Sequence, residues 1–280
     1  MNSKEELLER TLDAFPHELL KHHFNVEGKK NDTIQKITEQ NSDKIIKKFF
    51  CDFFNYLHLN ISVFELNSNI PQSIKKLMNG ECIRFKNTNK YKEWIYLHKT
   101  AIDFYDTEER KSNSIEFLIP VKIINRKKKL IIYQNIFKRD INSYFEQPIF
   151  QEKRKSVELG VIDNIKHHYD KSMFILDLNK GVKYLWEKDF IDAKVVKHRE
   201  SKSIRQDRMD EDYLYKASYP EEWKELMKSP IQKTKFKSLT SDISLDHFDC
   251  NPSTGFVGVS FHPNSEDDII DLINLIIKHN

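Results

Sequence analysis

Glycine and proline are scarce in this 280-residue chain, 6 and 8 respectively, which excludes a collagen-like or low-complexity polymer. The three cysteines, Cys51, Cys82 and Cys250, lie far apart and form no CxxC pair. An odd, scattered count points to neither a disulfide framework nor a structural zinc site. No apolar run approaches the ~18 residues of a bilayer-spanning helix. The opening residues, MNSKEELLERTLDAF, are charged and amphipathic and lack the apolar stretch of a signal peptide. Also absent are a Gly-rich phosphate loop, a GxSxG elbow, a Cys-His pair of recognisable spacing, an internal repeat and a clear linker. These absences lead to the expectation of a reduced, cytoplasmic protein with no membrane contact, no cofactor and no bound metal.

Aromatic residues are plentiful: 19 Phe, 11 Tyr and 3 Trp, enough to bury a substantial core and exclude disorder. The length fits one large or two modest domains at ~100–200 residues each. Net charge is only +3, yet it is unevenly placed. From Ser241 onward there are seven acidic residues and one lysine, whereas Val121–Asp140 holds seven basic residues and one acidic. Lys194–Arg208 holds six basic against two acidic residues and reads as an exposed basic loop. Asymmetry of this kind marks a polyanion-binding face, or more plainly a solvated surface.

Periodicity divides the chain near residue 58. Glu5–Ala14 reads as a helix with Leu7, Leu8 and Leu12 on one side, interrupted at Phe15-Pro16. His17–Phe24 and Asp32–Gln40 follow as helices around a turn at Asn25–Gly28. Ser42 suits the cap of a longer helix from Asp43 to about Leu57, whose inward stripe includes Ile45, Ile46, Phe49, Phe50, Phe53 and Phe54. Strand-like runs then take over at Asn60–Leu66, Cys82–Lys86, Lys92–Leu97, Ile115–Ile124 and Leu130–Asn135. The last two flank Asn125–Lys129, so a hairpin with a basic turn is expected. Ser73–Asn79 reads as a short helix, and from Phe137 to Tyr169 helix returns, broken at Pro148. Met173–Asp177 and Phe256–Phe261 read as buried strands, with weaker candidates around Val195 and Phe236. Glu221–Lys228 is helical with Trp223 and Met227 on one side, and Ser265 caps a final helix. The pattern predicts an α+β fold: a small helical subdomain, residues 1–58, then a body, residues 59–280, with a mixed, mainly antiparallel sheet and flanking helices.

One segment carries a mechanism. His17–Ile37 reads HELLKHHFNVEGKKNDTIQKI: a helix, a turn bearing Gly28, Lys29 and Lys30, and a second helix with Ile34, Lys36 and Ile37. It resembles the SAP motif and its helix-extension-helix relatives over about 25 residues of the 280. Gly28, Lys29 and Lys30 match the motif's glycine and lysines, Asn31 and Asp32 its polar pair, and Ile34 its apolar anchor. Lys36 stands where arginine is usual, Thr33 where leucine is. The resemblance implies binding of the DNA backbone with little sequence reading, with Lys29, Lys30 and Lys36 on phosphates and both turn lysines in solvent. A small packing subdomain with solvated lysines is the plainer alternative.

Other candidates are weighed on their chemistry. The basic turn Arg126, Lys127, Lys128, Lys129 suits a hairpin tip on nucleic acid, or a charged guard against edge pairing. Asp177-Leu178-Asn179-Lys180 resembles an acidic-x-lysine nuclease site but has no evident second carboxylate. Asp246, His247, Asp249 and Cys250, with His262 beyond, are metal-ligand types without a known spacing. His22-His23 and His167–Asp170 read as helix surfaces and ends. Three functional expectations follow: a non-enzymatic nucleic-acid-binding or accessory protein whose body recruits a protein partner, a divergent metal-dependent nuclease, or an interaction subunit without nucleic-acid contact.

Overall fold

In the computed structural model, residues 4–67, 79–106, 111–136, 160–166, 173–200, 203–208, 213–260, 265 and 267–280 are described. The class is α+β: helices come first, and the strands that follow pair antiparallel. The chain forms two compact units, one of residues 1–57 with 66–173 and one of 58–65 with 174–280. The expected boundary near 58/59 coincides with the end of the helical segment. The helices do not stand apart, however, because they share their unit with four strands.

In the first unit, α1 (Lys4–Leu12), α2 (His17–Phe24), α3 (Lys30–Gln40) and α4 (Asp43–Asp52) bury their apolar stripes. Phe15, at the break after α1, is fully buried and stacks on Phe50 at 5.6 Å. Phe49 gathers Phe15, Phe24 and Phe53 within 5.0 Å. The expected long helix stops at Asp52 instead of near Leu57, because Phe53 leaves helical geometry (φ −112°, ψ 19°). A short 3-10 turn, Phe54–Tyr56, then directs Phe54 and Asn55 inward. Ile45, expected in the stripe, is 47% exposed at the helix margin.

The strands begin with β1 (Leu59–Leu66), which apart from its last residue belongs to the second unit. The first unit's sheet runs β2 (Gly80–Asn87), β3 (Lys92–Asp106), β4 (Lys111–Arg126), β5 (Lys129–Asn135). β3 and β4 pair without interruption from Lys92↔Asn125 to Asp106↔Lys111. Alternation places Trp94, Tyr96, Val121 and Ile123 on one face, all buried, and Glu93, Ile95 and Lys122 on the other. α1 is fixed to β4 by polar contacts to the strand backbone: Arg10 Nη1 donates to the Glu116 carbonyl (2.6 Å), and Thr11 Oγ1 lies 3.0 Å from that of Leu118.

The second unit contains β6 (Met173–Ile175) apart from its first residue, α5 (Asn179–Glu187), β7 (Ile191–Glu200), β8 (Ser203–Arg208), α6 (Tyr215–Ser218), α7 (Pro220–Lys228), β9 (Thr234–Ser238), β10 (His247–Asn251), β11 (Phe256–Val259) and α8 (Asp268–Lys278). Its strands are ordered β1–β11–β10–β9–β7–β8, with β6 on β1. The helices α5 and α8 approach so closely that a Cβ on Gly181 would sit 2.2 Å from the Ile276 carbonyl oxygen. Buried Asp192 accepts from Trp186 Nε1 (3.0 Å) and the Tyr215 amide (3.1 Å).

Several local expectations are corrected here. Lys194–Arg208 is not a loop: most of it is the β7–β8 hairpin, paired from Val195↔Arg208 to Glu200↔Ser203. The segment after Asp177, read from the sequence as a candidate acidic-x-lysine site, opens α5. Phe174 and Ile175 are half exposed, so β6 is not a buried strand. On α7 the buried residue is Leu226, with Trp223 and Met227 only half-buried. Asp267, not Ser265, holds the N-cap position of α8, and Ser265 instead donates its amide to Asp268 (2.8 Å). Most of Ser73–Asn79, His167–Asp170, His262 and all of Phe137–Tyr169 except 160–166, which is helical, lie outside the described residues.

Candidate nucleic-acid interface

The N-terminal motif has the expected shape but spends two of its lysines internally. Asn25 caps the end of α2, its left-handed backbone (φ 52°) turns the chain, and buried Val26 follows. Gly28 takes φ 143°, a conformation that side chains resist. Lys29 occupies the N-cap position of α3 and is exposed, and α3 begins two residues earlier than expected, at Lys30. Lys30 Nζ donates to the Asp13 carbonyl (2.6 Å) and ion-pairs with its carboxylate (2.8 Å), fastening α3 to the end of α1. The expectation that Lys30 stands in solvent is therefore corrected: its side chain is only a quarter exposed. Lys36 Nζ donates to the Glu27 carbonyl (2.8 Å), bracing the turn. Thr33, at the motif's leucine position, is buried 3.2 Å from His17 Nε2, so a hydrogen bond replaces the apolar contact. The uncapped amides at the start of α3 offer an anion site in principle, but among the motif lysines only Lys29 faces outward unengaged.

The hairpin ends are different. Arg126 pairs with Lys129, leaving Lys127 and Lys128 as a two-residue loop in which Lys127 alone has positive φ (57°). That is the backbone pattern of a II′ hairpin turn, a position glycine usually takes. It aims two adjacent exposed lysines outward. At the β2–β3 end, residues 88–91 form a tight loop built on Thr88. Its hydroxyl donates to the Tyr91 carbonyl (2.9 Å) and accepts from the Tyr91 amide (3.1 Å). The register brings these two ends together: Asn87 pairs with Lys92, and Lys92 pairs with Asn125, one residue from Arg126. Lys86, Lys90, Lys92, Arg126, Lys127, Lys128 and Lys129 thus share one end of a single sheet. Glu93, next to Lys92 on β3, is buried and bound to Arg84 at 3.0 Å. Sequence reasoning finds Arg126–Lys129 but misses Lys86, Lys90 and Lys92. The signal was the run KNTNKYK between two strand segments.

The catalytic candidates resolve into structural roles or do not converge. Asp177 Oδ1 accepts from the amide and side chain of Asn179 (2.8 and 2.6 Å), tying down the start of α5. Lys180 lies exposed on the helix's first turn. On β10, alternation puts His247 and Asp249 on one face and buried Cys250 on the other. Burial, helped by Lys235 and Lys194, lowers the pKa of His247, while burial pushes the Cys250 thiol far up, away from a reactive thiolate. Among the described residues no group of three or more His, Cys, Asp or Glu is placed to hold a metal. No family model, no curated protein and no solved structure matches the chain.

Proposed function

We propose that this protein is a non-enzymatic binder of nucleic-acid backbones. Its principal contact is the pair of basic hairpin ends of the first unit, with Lys29 of the SAP-like motif as a secondary contact. The observation that carries the reading is the register, in which Asn87↔Lys92↔Asn125 sets two lysine-bearing ends side by side without an intervening carboxylate. A row of ammonium groups on stiff loops suits phosphates, which attract cations without regard to base identity. Of the motif residues, Gly28 shapes the turn, whereas Lys30 and Lys36 already hold internal acceptors that a phosphate would have to displace. DNA is the expected partner class, and recruitment of a protein partner by the remainder of the molecule fits an accessory role. The nuclease alternative draws less support, since Asp177 Oδ1 is tied to Asn179 at the start of α5 and no group of three or more metal-ligating side chains converges among the described residues.

The test is fluorescence anisotropy across salt concentrations with the Lys127→Ala/Lys128→Ala variant beside the wild type. Both side chains are exposed at a loop, so folding is expected to survive. Each lost phosphate contact lowers the log–log salt slope by about 0.7 on single strands and about 0.9 on duplex. The expected result is weaker binding and a slope flatter by well over one. Unchanged affinity and slope would remove the hairpin ends from the interface.

A further inference from the structure

Beside the lysines lies an aromatic ring that the core does not need in full. Phe85, on β2, pairs with Trp94 on β3, and the two rings stack at 5.3 Å with 29° between planes. Trp94 is 1% exposed, whereas Phe85 leaves 44% of its surface in solvent. Phe85 therefore keeps surface that its contact with Trp94 does not use. Two residues toward the hairpin ends, on the same face, run Asn87, Lys92 and Asn125 in one cross-strand row. That row stands roughly 7 Å from the ring at ~3.3 Å per residue, and the loop lysines lie beyond it. β2 is the outermost strand of this path, and Phe85 stands on it partly exposed.

We infer that this face takes single-stranded nucleic acid, with one base stacked on Phe85 and the adjoining phosphates on Lys92 and the loop lysines. The inference rests on the backbone-binding reading above and adds the substrate class. In a duplex the bases are already stacked on one another and present no free π-face; an unpaired base does, and aromatic rings next to cationic grooves are how single strands are held without sequence preference. Asn87 and Asn125 supply amide donors and acceptors that a splayed base or a sugar can use.

The experiment measures binding of fluorescein-labelled oligo-dT and oligo-U of about 20 nucleotides, above the ~4–16-nucleotide site of typical single-strand binders. A mixed-sequence duplex of the same length serves as comparison. The full chain is used as wild type, Phe85→Ala, Phe85→Trp and Lys127→Ala/Lys128→Ala. Phe85→Ala is expected to weaken single-strand binding by about five- to a hundredfold, the effect of losing one base–aromatic stack, with an unchanged salt slope. Phe85→Trp, which keeps a ring, should bind like the wild type, and duplex binding should be weaker than single-strand binding and indifferent to Phe85. Preference for oligo-U over oligo-dT would assign RNA within the same class, and the reverse DNA. Wild-type preference for duplex overturns the inference, as does full single-strand affinity in Phe85→Ala or equal loss by Ala and Trp. If the lysine variant alone is without effect, the backbone-binding reading itself fails. A flattened slope there with no Phe85 effect leaves that reading standing and rejects only the stacking.

Discussion

Lys122 sits in the middle of β4 and is 2% exposed, which for an ammonium demands compensation. It hydrogen-bonds the Asn55 side-chain oxygen and lies over two rings, 4.7 Å from the centre of Phe54 and 5.2 Å from that of Tyr133. The early end of α4 is what brings Phe54 and Asn55 to this lysine, so a local departure from helical geometry serves a tertiary contact. Lys122→Ala removes packing and leaves buried acceptors behind, and should destabilise by about 2–4 kcal/mol in urea unfolding. Combined with Asn55→Ala, the losses should fall short of additive by at least ~0.5 kcal/mol. Full additivity would mean the two groups do not support each other. His98, on the opposite face of the sheet, is 6% exposed and its Nδ1 finds no hydrogen-bond partner among the described residues. Burial lowers its pKa from the ordinary value near 6.5. The unfolded chain then binds a proton that the folded protein resists. Stability should therefore be full above about pH 6.5 and fall as pH drops below it, toward the lowered folded-state value. His98→Leu should show a shallower loss between about pH 7.5 and 5.5, although His23 and His247, also lowered by burial, keep some acid sensitivity. An identical pH profile in the variant would contradict this account of His98.

Among the elements, the α5–α8 contact depends on a missing side chain. Gly181→Ala places a methyl against the Ile276 backbone oxygen, a group that cannot rotate away. The helices must separate, and a loss of about 1–3 kcal/mol is expected in thermal unfolding. Gly160→Ala, with nothing within 4 Å of the added carbon, is the control and should stay within ~0.5 kcal/mol of wild type. A harmless Gly181→Ala would mean the helices are not held at this spacing. The same elements indicate what residue order can convey. The β-branched and aromatic runs of β1 to β5 identify themselves, since Trp94, Tyr96, Ile123 and Ile132 leave no helical alternative of adequate period. α5 is hidden because Asn179 and Gly181, both poor helix formers, stand in its first turn, and their neighbour Asp177 imitates a catalytic carboxylate. β7 shows only weakly, around Val195, and β8 and β10 are hidden by charge: Lys197, Arg205 and Asp249 are residues of low strand propensity. The basic hairpin Arg126–Lys129 is legible from its turn. Its meeting with Lys86–Lys92 is not, because that requires the register of three strands, which no local pattern encodes. The internal engagement of Lys30 by Asp13 is equally invisible, being a contact between residues 17 positions apart.

Taken whole, the molecule carries little net charge, and its positive character resides in placement. A net +3 leaves long-range attraction weak, while seven cations at one sheet end make a strong local field. Among the described residues no helix is long and apolar enough to cross a membrane. On the proposed function, the hairpin ends rather than the N-terminal lysines dominate contact with a polyanion. One measurement separates the two. Charge reversal at Lys127→Glu/Lys128→Glu and, separately, at Lys29→Glu should be compared by anisotropy on one labelled single-stranded oligonucleotide at low salt. Each reversed contact both loses an attraction and adds a repulsion, so the hairpin variant should weaken binding by at least ~100-fold while Lys29→Glu costs no more than ~10-fold. Near-normal binding by the hairpin variant, with binding abolished by Lys29→Glu, would contradict the account and return the interface to the SAP-like turn.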